Sequence, residues 1–182
     1  MTRDYLAEQV GWLDDIFTSP ENNKLFNDEN LIQIQSKLNN KWKTENRLSL
    51  IKKLCKEYGE ESVISVLDRI IFENCKRNWT NEGKVRTNSI NNFINILWEP
   101  LKESGFLFSY ETIGNITQFK VTKCPMYNLA KQINATKWFY HLVCLTDEPS
   151  IIGFNNKIEF KRTKTLMQGN SYCDHCYIDH SV

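Results

Sequence analysis

The chemically promising residues gather in the last third of the chain. Cys124 precedes Pro125, and proline suits the first position of a helix, so the spacing predicts Cys124 as a helix cap. A thiol there faces unpaired backbone N–H groups and the positive end of the helix dipole. That setting favours thiolate, and cysteines so placed fall to pKa values of about 3.5–7.5. Lys123 adds a neighbouring positive charge. A thiolate at this point could attack an electrophilic carbon while the same N–H groups receive the developing negative charge. The plainer alternative is a small residue packed at a strand end.

Cys144 sits beside Leu142 and Val143, with His141 one turn earlier, so core packing competes with a Cys–His couple. Asp147 follows at what reads as a helix end, where its charge opposes the dipole and suggests another task. Cys173-Asp174-His175-Cys176, with His180 beyond, is dense in potential ligands. Two cysteines so spaced suggest zinc or a redox pair. On a strand, however, they point to opposite faces, and no second pair shows knuckle spacing. The metal alternative is a zinc site built from Cys124, Cys144, Cys173 and His175; otherwise no cofactor is expected. Tyr172, Tyr177, Trp138 and Phe139 read as core or pocket wall, and Lys52, Lys53 and Lys56 as a solvated helix face.

The elements that must position these residues fall into two parts. Residues 1–105 read as helical. Tyr5, Leu6, Trp12, Leu13, Ile16 and Phe17 form one stripe, and Leu31, Ile32, Ile34 and Leu38 a second, after a break from Pro20 to Asn30. Arg47 to Tyr58 is a third helix, stopped by Gly59, and Glu60 to Lys76 a fourth, followed by a loop at Asn81 and Gly83. Thr87 or Asn88 is the expected cap of a fifth, which Pro100 kinks or stops. Residues 106–182 hold the sheet. Phe106, Phe108 and Tyr110 alternate, as do Phe119 and Val121, and Gly114-Asn115 is a good two-residue turn. That turn sets Tyr110 opposite Phe119 and Phe108 opposite Val121, all on one face. Helices over Pro125 to Ile133 and Trp138 to Leu145 follow, the latter ended by a loop at Thr146 to Pro149. A second hairpin starts at Ile158 and Phe160, turns at Gly169-Asn170 and returns from Tyr172 to Ile178, with a bulge expected between Lys161 and Met167, or polar residues lining a cavity. The fold class is α+β with an antiparallel sheet, in a single domain over 1–182.

Composition narrows the function. The 182 residues suffice for one domain, and a chain of this length buries about 70% of its unfolded surface without staples. With 23 Lys+Arg against 22 Asp+Glu, the net charge of +1 argues against a nucleic-acid partner. No run reaches the roughly 18 apolar residues of a membrane span. The start lacks the layout of a secretory signal, so the expectation is a cytoplasmic protein with six free thiols. Abundant Asn fits codon bias in an AT-rich genome.

The order Cys124-Pro125, Cys144 with Asp147, Ile151-Ile152-Gly153-Phe154-Asn155, Phe160-Lys161-Arg162-Thr163 and Leu166-Met167-Gln168-Gly169-Asn170-Ser171-Tyr172-Cys173-Asp174 resembles the L-2-amino-thiazoline-4-carboxylic acid hydrolase family. Its members similarly place a Cys-Pro, a central Cys and a closing Gly-x-x-x-Cys-Asp; the resemblance is strongest over roughly the last 60 residues. The closing hairpin also resembles that of vinyl-reductase-type small-molecule-binding domains and their TRAPP relatives. Where the family usually continues Cys-Asp-Phe-Arg, this chain has Cys173-Asp174-His175-Cys176. The resemblance implies hydrolysis of a small-molecule substrate, a thiazoline ring opened at the carbon between sulfur and nitrogen. It implies Cys124 as nucleophile or thiolate ligand, Asp147 and Asp174 as proton carriers, Cys173 and Cys144 as site lining with Tyr172, and Lys123 or Arg162 as carboxylate holder, arginine preferred for bidentate contact. The alternatives are a non-enzymatic module that holds zinc or a small ligand and reports it through a homodimer, and a redox protein using Cys173 and Cys176.

Overall fold

Helices form where the three- and four-residue periodicity is strongest, and the computed structural model describes them for Asp4 and residues 10–181. Tyr5 and Leu6, expected on the first stripe, lie outside the described residues. The chain is α+β, with one four-stranded antiparallel sheet among the described residues. It divides into two compact units, residues 1–74 and 75–182.

In the first unit, α1 (Leu13–Phe17) buries Leu13, Ile16 and Phe17, while Trp12 is exposed. A 3-10 turn, Pro20–Lys24, occupies the expected break. It buries Asn22, whose amide donates to the Ile16 carbonyl at 2.9 Å and accepts from the Asn74 amide at 2.8 Å. Asp28 caps α2 (Glu29–Lys41) by accepting the Leu31 N–H at 3.1 Å; Ile34 and Leu38 are buried and Ile32 is exposed. Asn46 caps α3 (Arg47–Tyr58), and Gly59, at φ +86°, ends it where a side chain would be strained. Phe17 stacks on Trp42 at 3.9 Å in the core. Each such large side chain contributes about 1.5–3 kcal/mol by leaving water.

The next helix, α4 (Glu60–Val85), does not stop near Lys76. Asn81 and Gly83 continue it, because Gly83 serves packing rather than a turn. A Cβ on Gly83 would stand 2.4 Å from the Phe154 carbonyl oxygen, and one on Gly153 would stand 2.3 Å from that of Lys76. The two glycines let α4 and α9 (Asp147–Phe154) approach backbone to backbone.

Within the second unit, the cap of α5 (Ile90–Phe93) is Ser89, which accepts the Asn92 N–H, and not Thr87 or Asn88. A π segment, Ile94–Trp98, runs into α6 (Glu99–Glu103). Pro100 has no N–H for the Ile96 carbonyl, and the helix widens ahead of it instead of ending. Strands β1 (Leu107–Ile113) and β2 (Ile116–Lys123) pair with Phe108 opposite Val121 and Tyr110 opposite Phe119, as the turn predicted. After α7 (Pro125–Gln132) comes α8 (Thr136–Leu142), then a 3-10 turn, Cys144–Thr146.

The second hairpin differs from expectation. Only β3 (Ile158–Lys161) and β4 (Cys176–Asp179) pair, and residues 162–175 form a loop with a 3-10 turn at Leu166–Gln168. Gly169 ends that turn in left-handed conformation rather than turning a hairpin. The loop's polar groups bond to one another: Asp174 accepts from the Thr163 and Lys164 amides at 2.9 and 2.6 Å. The strand order is β1-β2-β4-β3. Its buried face meets Trp98, which stacks on Phe119 at 4.3 Å and donates its indole N–H to the Tyr177 hydroxyl at 3.2 Å.

Candidate active site

Asp147 is the centre of the site, and local sequence explains its position. Thr146 to Pro149 is not a terminating loop but the start of α9, with Asp147 and Glu148 in the first turn. A carboxylate suits that end of the dipole, and Pro149 is tolerated where N–H groups have no intrahelical partner. Asp147 therefore lies at a helix beginning, not a helix end. Its Oδ2 accepts a hydrogen bond from Arg162 Nη1. The same oxygen lies 3.1 Å from His175 Nε2. A carboxylate only accepts, so Nε2 carries the proton. Arg162 comes from the loop just after β3, packs over the Phe160 ring at 5.6 Å and donates also to the Cys144 carbonyl at 2.9 Å.

His175 is held by its backbone, because its carbonyl accepts the Phe119 N–H at 2.8 Å and the Gln118 side-chain amide at 3.1 Å. Its ring is buried, edge-on to Trp98 at 4.9 Å. Among the described residues its Nδ1 has no hydrogen-bond partner. Burial pushes the Asp147 pKa up, but His175 and Arg162 outweigh it and hold the carboxyl below its ordinary value. Burial pulls Arg162 down, and Asp147 more than restores it. The pair is ionised at neutral pH.

Three thiols stand within electrostatic reach of this ion pair: Cys124, Cys144 and Cys173. Cys124 caps α7 with Pro125 in the first turn, as the spacing predicted. Its pKa is nevertheless raised, to about 11. Burial dominates; the Tyr127 and Met126 amides pull it down by less, and Cys173 and Asp147 push it further up. The expected lowered pKa is thus corrected: an eight-residue helix end does not offset desolvation of a thiolate. Burial also raises Cys144 well above the ordinary thiol value, with Asp147 adding to it. Cys173 pairs with Val121 in an isolated bridge, and its sulfur accepts the Leu166 N–H at 3.2 Å; burial raises it as well. Cys75 on α4 is a fourth thiol that feels Asp147, pushed up by burial to about 12.

The other expected residues are placed elsewhere. Asp174 faces its own loop, where its contacts with Thr163 and Lys164 overcome desolvation and lower its pKa. Tyr172 lies under the ammonium groups of Lys120 and Lys164, both at 5.1 Å, and borders a separate cleft of about 580 Å³ with Asp174. Lys123 is exposed at the end of β2. Cys176 is half-buried on β4 while Cys173 is buried in the loop. Among the described residues no group of three or more His, Cys, Asp or Glu side chains is placed to hold a metal ion.

Cys144 and Arg162 open onto a cavity of about 400 Å³ that Tyr140, Glu148, Phe160 and Lys161 also line. The arrangement sets a buried ion pair, shared with an imidazole, within electrostatic reach of three thiols that burial raises, of which Cys144 lines the cavity. His175 as the partner of Asp147 is what the sequence reading missed. The visible signal was the imidazole standing where an aromatic ring is usual.

A family model described as L-2-amino-thiazoline-4-carboxylic acid hydrolase matches residues 39–177. Comparison with curated proteins gives no match, and comparison with solved structures gives none either, so the likeness to vinyl-reductase-type domains is not confirmed. No helix among the described residues is long and apolar enough to cross a membrane.

Proposed function

The chain belongs to the L-2-amino-thiazoline-4-carboxylic acid hydrolase family, and from that premise we propose that it hydrolyses a small cyclic amidine-type thio substrate, opening the ring by C–S cleavage. Family membership supports a hydrolase-type function in general. The observation that carries the finer reading is the imidazole of His175, with Nε2 on the Asp147 carboxylate and Nδ1 buried without a partner among the described residues. A carboxylate so placed holds the tautomer and stabilises the imidazolium that forms.

Water adds to the ring carbon between sulfur and nitrogen, and its proton passes to His175 Nδ1. The tetrahedral carbon then expels sulfur, which takes the proton back as the C–S bond breaks. The product is an N-carbamoyl-cysteine-type thiol, equal in atoms to substrate plus water. Arg162 keeps Asp147 ionised through this cycle. Cys124, Cys144 and Cys173 line the site as neutral thiols. At pKa about 11, roughly one Cys124 in ten thousand is thiolate at pH 7, a poor resting nucleophile.

The test is release of new thiol from L-2-amino-thiazoline-4-carboxylate, with the carbamoyl product identified by mass. His175→Phe, which restores the aromatic ring usual in the family, should lower kcat by ~10²–10⁴. Equal rates for wild type and His175→Phe would put the base elsewhere. No release by wild type from this compound or from related cyclic amidines would end the reaction assignment.

A further inference from the structure

We infer that two copies of this chain pair edge to edge along β1, antiparallel about Tyr110, so that one sheet runs through both.

The two edges of the sheet are finished differently. The strand order β1-β2-β4-β3 leaves β1 and β3 outermost. β3 is four residues long, and its Glu159 is ion-paired with Lys161 at 3.0 Å and with His180 at 3.0 Å. A short, charged strand is a common way to blunt a sheet edge. β1 is seven residues long and holds neither lysine nor proline. Its Leu107, Tyr110 and Ile113 are exposed, Ile113 to 72%. Its backbone is open as well. Phe119 and Val121 give their N–H groups to the His175 and Cys173 carbonyls, toward β4. The alternate residues Gln118 and Lys120 therefore turn to Glu111 and Ser109, their register partners on β1. That leaves Phe108, Tyr110 and Thr112 pointing their N–H and C=O groups outward from the sheet edge. A row of such groups is a template for another strand.

The strand best matched to this edge is β1 itself. With Tyr110 opposite Tyr110 of the second copy, Phe108 meets Thr112, Ser109 meets Glu111 and Leu107 meets Ile113, so β1 is paired over its whole length. Within one copy Ile113 pairs with Ile116. Leu107 of the second copy extends that pair into an apolar row, and the two-fold symmetry builds the row twice. The charges match too. Ser109 pairs with Lys120 within one copy, so Glu111 of the second copy faces Lys120 across a small serine. No charged side chain stands directly opposite its like. Apolar and opposite-charge neighbours on adjacent strands each stabilise a sheet modestly, and here every contact occurs twice.

Sedimentation velocity and amide exchange on the full chain test this. Wild type should pass from monomer to dimer as concentration rises, and the amides of Phe108, Tyr110 and Thr112 should gain protection as it does. Glu111→Lys brings like positive charges together at both contacts, and Lys120→Glu brings like negative charges together. Both positions are exposed, and each variant should weaken dimerisation ~10-fold. An equimolar mixture of the two variants should recover wild-type association, because each contact between unlike copies joins a lysine to a glutamate. A wild-type chain that stays monomeric up to about 1 mM would overturn the inference. So would dimers that neither variant weakens, a mixture no stronger than its components, or concentration-dependent protection that appears only away from β1.

Discussion

Each of the two units holds a buried ion cluster, and the two clusters are finished differently. In residues 1–74, Arg47 donates to Asp4 at 2.9 Å and to Asp14 at 2.7 Å, and the Arg47 backbone N–H also bonds Asp4. Burial pulls that guanidinium down, but two carboxylates more than restore it. In residues 75–182 the ratio is inverted. One carboxylate, Asp147, is shared by a guanidinium and an imidazole, and the imidazole's second nitrogen is unpartnered among the described residues. A cation shared by two acids ties them together. A carboxylate shared by a guanidinium and an imidazole N–H leaves the other ring nitrogen without a partner among the described residues. The same ingredients are finished as a clamp in one place and, on the proposed reading, as an acid–base group in the other.

The sharpest break in this contrast comes from Asp147→Asn. It leaves Arg162 buried without a charge partner, a loss of about 3–5 kcal/mol, and should remove thiol release along with stability; denaturant melts and turnover report the two effects. Arg47→Met should cost about 3 kcal/mol by removing the guanidinium that Asp4 and Asp14 share, while turnover per folded molecule stays unchanged. Equal loss of turnover in both variants would erase the distinction between clamp and site.

A smaller effect separates the units by pH. The raised thiols of residues 75–182 contribute stability that is fully present below the ordinary thiol value of 9.0 and is lost as pH rises toward about 11 for Cys124 and about 12 for Cys75. The lowered Asp147 acts oppositely: its contribution is present above the ordinary 3.8 and lost as pH falls below it. Thermal melts should decline on the alkaline side, and Cys75→Ala should flatten that decline. The smallest change is expected from Cys124→Ala, with kcat within about tenfold of wild type, against the ~10²–10⁴ of an acid–base group. A loss as deep as that of His175→Phe would return the nucleophile's role to the thiol.

Legibility followed distance along the chain. The hairpin of β1 and β2 was readable to the residue pair because a two-residue turn and an alternating pattern lie within seventeen residues, Leu107–Lys123. The Cys124-Pro125 cap was readable for the same reason. The second hairpin was not, because the loop from 162 to 175 satisfies its backbone with Asp174 and the Cys173 sulfur, contacts that no alternation encodes. Gly83 read as a breaker because the carbonyl it approaches belongs to Phe154.

The amino-acid order alone determined the α+β class, the helix caps at Gly59 and Cys124, and the presence of a cysteine- and aspartate-rich closing segment, all of which depend on neighbours a few residues apart. Tertiary structure alone decided that Asp147 meets Arg162 and His175, 15 and 28 residues away, and that the thiols around them are neutral. The reason is physical: a helix dipole acts locally and can be read from spacing, whereas desolvation depends on everything that packs against a sulfur atom.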